Sequence, residues 1–343
     1  MQLSAGVEQA QRNKYFQRER KELMINMLLT GVPANIMALA GLVFAFVMTC
    51  LLLAKCNDRL PKDQGREFAV NGALSAGKPR GAGFIFILVF IAAVVLFCEL
   101  NTEIIIYLVL LAAAMMTGFL DDCSRAPWGE LKKGLLDFAI AVMVAVTFLN
   151  FNSNVVEFAI FGGSITIPPV IFGILTVVLV WVSINVTNCS DGVDGLSGTL
   201  TIITLISLYM VDQIKGTDPV FSHTILLFVI CILAYLWFNA TPSKLMMGDA
   251  GSRAMGFFIS IAALKTGSPF IYIPVAIVLI LDGGLGLLKV SLLRFLKIKI
   301  LVNTRTPLHD HVRKVMGWSN TQAVFRFAII QIMISAAAIY LIM

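Results

Sequence analysis

The chain has 343 residues, 58% of them hydrophobic and only 13% charged, with a formal net charge of +6 and a mean hydropathy of +0.88. A soluble domain carries about a quarter charged residues, so a water-soluble globule is excluded; long unbroken apolar runs also exclude a transmembrane β-barrel, whose segments of about ten residues alternate. The excess of Lys and Arg calls for no nucleic acid, because in a membrane protein it mostly sets orientation.

In chain order, residues 1–33 read as a polar N-terminal segment with no signal-peptide core, and 34–343 as a single all-α, polytopic transmembrane domain. A helix crosses a bilayer with roughly 20 apolar residues, and ten such runs are predicted near 34–54, 83–100, 104–120, 134–150, 168–186, 196–212, 222–239, 254–268, 270–293 and 322–343. Lys265, Gly267 and Pro269 interrupt the eighth and ninth. Six scattered cysteines show no CxxC pair and suit reduced thiols better than disulfides or zinc. The loops at 55–82, 121–133, 187–195, 240–253 and 294–321 share one side and carry six, three, zero, two and six Lys plus Arg, whereas the opposite loops hold only Lys215 and Lys265. Positive residues favour the cytoplasm, which places both termini outside. The basic N-terminus (Arg12, Lys14, Arg18, Arg20, Lys21) goes against that rule, and the loops outweigh it.

The acidic motifs gather on the basic side: "GFLDDCSR" with Asp121 and Asp122, "NCSDGVDG" with Asp191 and Asp194, "MGDAGS" with Asp249, and "TPLHDHVRK" with His309, Asp310 and His311. Each alone has a plain reading, since Asp-Asp at a helix end is often a solvated terminus or cap and a DGxDG loop is often a pair of turns. Together they read as one cleft on the cytoplasmic face. Carboxylates there suit Mg²⁺, which is held by one or two of them plus substrate phosphates, and the flanking glycines let backbone N–H groups approach an anion. Asp282, in "LILDGGLGLL", interrupts a span; intramembrane acids are functional candidates by default, and its glycines predict a broken helix.

The order "DD…NxxNxxDGxDGL…NxxxxxxxxMGDxGS…PxHxH", carried by Asp121-Asp122, 185–198, 238–252 and 307–311, resembles the polyprenyl-phosphate N-acetylhexosamine-1-phosphate transferases over nearly the whole chain. "TPLHDHVRKVMGW" resembles their phospho-N-acetylmuramoyl-pentapeptide transferase branch. The resemblance implies ten helices, a homodimer in the bacterial cytoplasmic membrane, Mg²⁺, and transfer of phospho-MurNAc-pentapeptide from UDP-MurNAc-pentapeptide to undecaprenyl phosphate, giving lipid I and UMP. It implies Asp249 as a principal Mg²⁺ ligand, with Asp121 and Asp122 where the lipid phosphate enters. Asn188, Asp191 and Asp194 would line the nucleotide and diphosphate site, with Asn239 approaching the uridine. His309 and His311 would contact the phosphates or shape the sugar side, and Lys132 or Lys133 would supply charge. Two departures stand out: the family's "TPTMGG" is "KPRGAG" here (78–83), with Ser75 where a Lys is usual and Lys78 or Arg80 as substitutes, and the middle His is Asp310. Two rivals are a sibling enzyme loading GlcNAc-1-phosphate and an ion-coupled transporter. A transporter usually places its acids near the midplane between internal repeats, and no repeat is visible.

Overall fold

The computed structural model describes residues 33–65, 75–124, 126 and 128–343; apart from Pro33, the expected polar segment 1–33 lies outside the described residues. Helix follows helix: α1 (Ala34–Cys56), α2 (Ala82–Phe97), α3 (Thr102–Asp122), α4 (Glu130–Phe151), α5 (Pro169–Cys189), α6 (Leu196–Lys215), α7 (Pro219–Asn239) and α8 (Gly248–Lys265). After a 3₁₀ turn (Pro269–Ile271) come α9 (Tyr272–Val275), α10 (Ile277–Ser291), α11 (Leu308–Lys314) and α12 (Asn320–Tyr340). The only sheet among the described residues is an antiparallel hairpin of β1 (Val155–Glu157) and β2 (Ser164–Thr166), with Val155 opposite Thr166.

Start and stop signals are local. Asn101 accepts the Ile104 N–H at 2.8 Å to cap α3, and Asp218 accepts that of Phe221 at 3.0 Å ahead of Pro219 in α7. Ser319 and Gln322 form a capping box on α12, so orphan donors find side-chain acceptors. All ten predicted runs fall on helices. Among the described residues seven helices are long and apolar enough to cross a membrane, or eight if the bent pair Pro269–Val275 and Ile277–Leu296 is one span, with Ala82–Phe97 apolar but shorter. Their outer faces expose Leu39, Val109, Val170, Ile174 and Trp237. Apolar contact with water on that scale is unfavourable and lipid removes it. The chain is an all-α, multi-pass membrane protein.

All of α8 is buried. It is packed chiefly against α3 and α5, and it begins at Gly248 rather than near 254 because its polar first turn is capped from another helix, as described below. Its far end is pinned as well. Lys265 meets Glu103 at 3.0 Å and Asp218 at 2.8 Å, and Lys215 meets Glu157 at 2.7 Å, so both cations of the opposite loops are paired.

The ninth predicted run is not one straight helix; it bends by 90° between α9 and α10. The break does not lie at the glycines beside Asp282, where the sequence predicts it. Helix α10 runs through them unbroken, and a Cβ on Gly283 would overlap the Val186 carbonyl, so this glycine serves close approach to α5. At the actual break Gln331 of α12 satisfies the freed backbone: its Oε1 accepts the Val278 N–H at 2.8 Å, and its Nε2 donates to the Val275 carbonyl at 2.6 Å. Irregular backbone at membrane depth requires such partners. Gln331→Leu is therefore expected to cost about 1–3 kcal/mol for each group left unpaired and to lower the melting temperature in detergent; an unchanged melt would show that the brace is dispensable.

Candidate active site

The ends of α3, α5 and α7 and the start of α8 meet at one end of the bundle, and their charges interlock. Asp122 closes α3 and caps α8 at a distance, its two oxygens accepting the Asp249 and Ala250 N–H groups, each at 3.1 Å. A helix N-terminus presents unpaired donors and a positive dipole end. Gly248 permits this contact twice over. Its φ of +67° favours glycine, and a Cβ there would overlap the Asp122 carboxylate.

Asp249, held in that first turn and 6% exposed, faces two cations. Arg80 Nη2 lies 3.2 Å from Oδ1 and Lys133 Nζ 2.9 Å from Oδ2. Arg80 also reaches Asp122 through Nε at 2.8 Å and Asp63 at 3.7 Å. Burial opposes the Arg80 charge, but Asp122, Asp249, Asp63 and Asp191 outweigh it and raise its pKa further. Lys133 pairs with Asp121 as well, whose other oxygen accepts the Trp128 N–H at 2.6 Å. Of the two lysines left open by the sequence, Lys133 joins this cluster, whereas Lys132 lies over the Trp128 ring, 3.2 Å from its centroid. Likewise Arg80 enters the cluster, whereas Lys78 donates to Ser243 Oγ at 3.0 Å and Ser75 to Asp63 at 2.6 Å.

One turn below runs a second rung of reversed sign. Arg253 meets Asp137 at 2.5 Å, both buried, and Asn185 donates to Asp137 at 3.3 Å. The signal was present as two i, i+4 pairs, Lys133/Asp137 and Asp249/Arg253. Nothing local showed that they face each other.

The acidic loop between α5 and α6 closes a second wall. Asn188 donates to Ser252 Oγ at 2.8 Å, Asp194 accepts the Ser243 N–H at 3.2 Å, and Asp191 lies close enough to Arg80 to strengthen its charge. Asn239 is turned inward and occupied, accepting the Gly195 N–H at 2.8 Å and donating to the Leu245 carbonyl at 2.9 Å. It braces the loop from behind. On α11, His309 is 3% exposed; Asp282 accepts its backbone N–H at 2.7 Å and lies 2.9 Å from its Nδ1. Nε2 on the other side of the ring faces Gly192, where a Cβ would overlap it. His311, two residues on, turns to another face of the helix and accepts the Arg305 N–H at 3.3 Å. The structure brings Asp121, Asp122, Lys133, Asp249, the acidic loop and His309 together, and leaves Lys132 and His311 at the margin.

The donor set suits a hard cation. Asp249 offers carboxylate oxygens beside Asp121 and Asp122, and a cation bound there would take the place of Arg80 or Lys133 on it. Among the described residues no group of three or more His, Cys, Asp or Glu side chains is arranged to hold a metal by itself.

Residues 104–267 match the family model described as glycosyl transferase family 4. The chain is 40% identical over 304 residues to a phospho-N-acetylmuramoyl-pentapeptide-transferase of Treponema pallidum, covering 83% of this chain and 84% of that one. It is 29% identical over 328 residues to one of Dictyoglomus turgidum (90% and 98%) and 26% identical over 277 residues to one of a Wolbachia from Drosophila simulans (76% and 83%). Similarity at that level over most of both chains, on a membrane bundle whose inter-helix acids converge at one end, establishes that the chain belongs to the phospho-N-acetylmuramoyl-pentapeptide-transferase family.

Proposed function

We propose that the chain transfers phospho-MurNAc-pentapeptide from UDP-MurNAc-pentapeptide to undecaprenyl phosphate at the cytoplasmic face of the bacterial membrane, forming lipid I and UMP. The observation that carries this reading is Asp249, set on the α8 N-terminus between Arg80 and Lys133. An oxygen of the lipid phosphate attacks the sugar-bearing phosphorus, the bond from that phosphorus to the bridging oxygen breaks, and UMP leaves with the electron pair. Arg80 and Lys133 supply positive charge for the phosphate oxygens. Asp249 would hold Mg²⁺ next to Asp121 and Asp122; when bound, the ion stabilises developing negative charge as a Lewis acid. Asn188, Asp191 and Asp194 form the nucleotide side, and His309 the sugar and diphosphate side.

Direct attack is favoured over a route through an aspartyl-phosphate. Asp122 already accepts from Arg80 and two backbone N–H groups, and Asp121 from Lys133 and Trp128. Carboxylates so fully hydrogen-bonded are poor nucleophiles. A phospho-enzyme trapped without lipid acceptor would overturn this point. Ten crossings are proposed from the ten apolar runs and outward termini from the Lys and Arg distribution; both can be mapped by cysteine labelling from each side. The family resemblance adds a homodimer, to be checked by the mass of the solubilised particle.

The deciding assay is UMP release by the solubilised protein with undecaprenyl phosphate and Mg²⁺, offering UDP-MurNAc-pentapeptide and UDP-GlcNAc separately. Release with the pentapeptide substrate alone is expected. Release with UDP-GlcNAc alone would move the chain to the sibling activity. Asp282 is a positioning residue for His309 in this scheme, and loss of such an orienting partner costs about 10–100-fold. Asp282→Asn should lower kcat by that amount and alter its pH profile; an unchanged profile and rate would remove Asp282 from the machinery.

A further inference from the structure

Arg313 of α11 ties its own helix to the acidic loop and to the start of α12. Its Nη2 donates to the Gly192 carbonyl at 3.2 Å and to Asp310 Oδ1 at 2.7 Å. Its Nη1 donates to Asn320 Oδ1 at 3.1 Å and its Nε to the His309 carbonyl at 3.3 Å. The side chain is only 5% exposed. Arginine's planar fork suits such divided bonding, which a single ammonium cannot reproduce. Its ion partner is the departure noted in the histidine motif: Asp310 puts a carboxylate 3.8 Å from His309 Nε2, where bare negative charge would repel a phosphate. Arg313 neutralises that charge and donates to the carbonyl of Gly192, the residue that lies against His309 Nε2 so closely that a Cβ would overlap it.

We propose that Arg313, charge-balanced by Asp310, is a positioning residue that latches the acidic loop onto His309 and so sets the nucleotide-diphosphate side of the cleft. This rests on the transferase reading above. The full-length solubilised protein carrying Arg313→Gln, Arg313→Lys or the exchanged pair Asp310→Arg/Arg313→Asp tests it by two readouts: UMP release with KM resolved for each substrate, and hydrogen–deuterium exchange across 188–195. For Arg313→Gln the KM for the nucleotide-sugar should rise about tenfold, the scale of one charge-assisted hydrogen bond. The KM for the lipid should stay within about twofold, and exchange across the loop should accelerate. Arg313→Lys, the milder variant if the first fails to fold, should fall between. The exchanged pair should stay impaired, because it restores an i, i+3 ion pair but sets a carboxylate against the Gly192 carbonyl. Recovery of the original KM by the exchanged pair would reduce the contact to an ordinary helix ion pair, and an Arg313→Gln protein with unchanged KM and exchange would refute the latch. The exchange readout needs no turnover, so a failure of the transferase reading stays distinct from a failure of the latch.

Discussion

Asp249→Asn is expected to lower UMP release by about 10³-fold or more while the solubilised protein keeps its melting transition. The substitution is nearly isosteric, so the α8 first turn and its Asp122 cap stay in place. What disappears is the charge that would hold the metal. The two cations are not stranded: Arg80 retains Asp122 and Asp63, and Lys133 retains Asp121. That redundancy is why a large loss of turnover should come without unfolding. An active Asn variant, at more than about a tenth of the original rate, would remove Asp249 from the role assigned to it.

Arg80→Met should damage both turnover and stability. Asp63, Asp122 and Asp249 have side chains 2%, 0% and 9% exposed; without Arg80 only Asp249 keeps a cation, Lys133, and Asp63 and Asp122 are left with their hydrogen bonds. Breaking a buried ion pair by removing one partner costs about 3–5 kcal/mol, and losing a donor aimed at reacting phosphate costs about 10²–10³-fold in rate. Arg80→Lys separates the two effects. It returns the charge but not the fork that spans Asp122, Asp249 and Asp63, so the melt should recover further than the rate. Full activity in Arg80→Met would show that the cation serves only to pack the acids. The comparison bears on this chain in particular, because Arg80 belongs to the segment that departs from the family's usual sequence, and that segment is laced to the α8 loop by Ala82 N–H to Met246 O at 3.0 Å and Met246 N–H to Pro79 O at 2.8 Å.

Apolar run length and one-sided charge were enough to determine much of this protein. Every predicted run became helical, because some twenty apolar residues in lipid must satisfy their backbone internally and a helix does so locally. The gathering of acids at one end was legible for the same reason, since alternating crossings return every second loop to one side. Tertiary structure decided which of those residues touch. Lys133 and Lys132 are indistinguishable by spacing, and only packing turns the first toward Asp249, 116 residues away. Asn239 lies in a motif that predicts substrate contact, yet its amide is used within the fold. His309 and His311 read alike in sequence, but about half a helical turn separates their faces, and Asp282 selects the first. The 90° break shifted for a similar reason: glycines mark where a helix is able to break, whereas Gln331, from the last helix, supplies the partners where it does. Hydropathy and capping act between near neighbours and are written in the local sequence. Ion pairs and backbone partners across the bundle depend on which helix faces meet, and that is settled only when the helices pack.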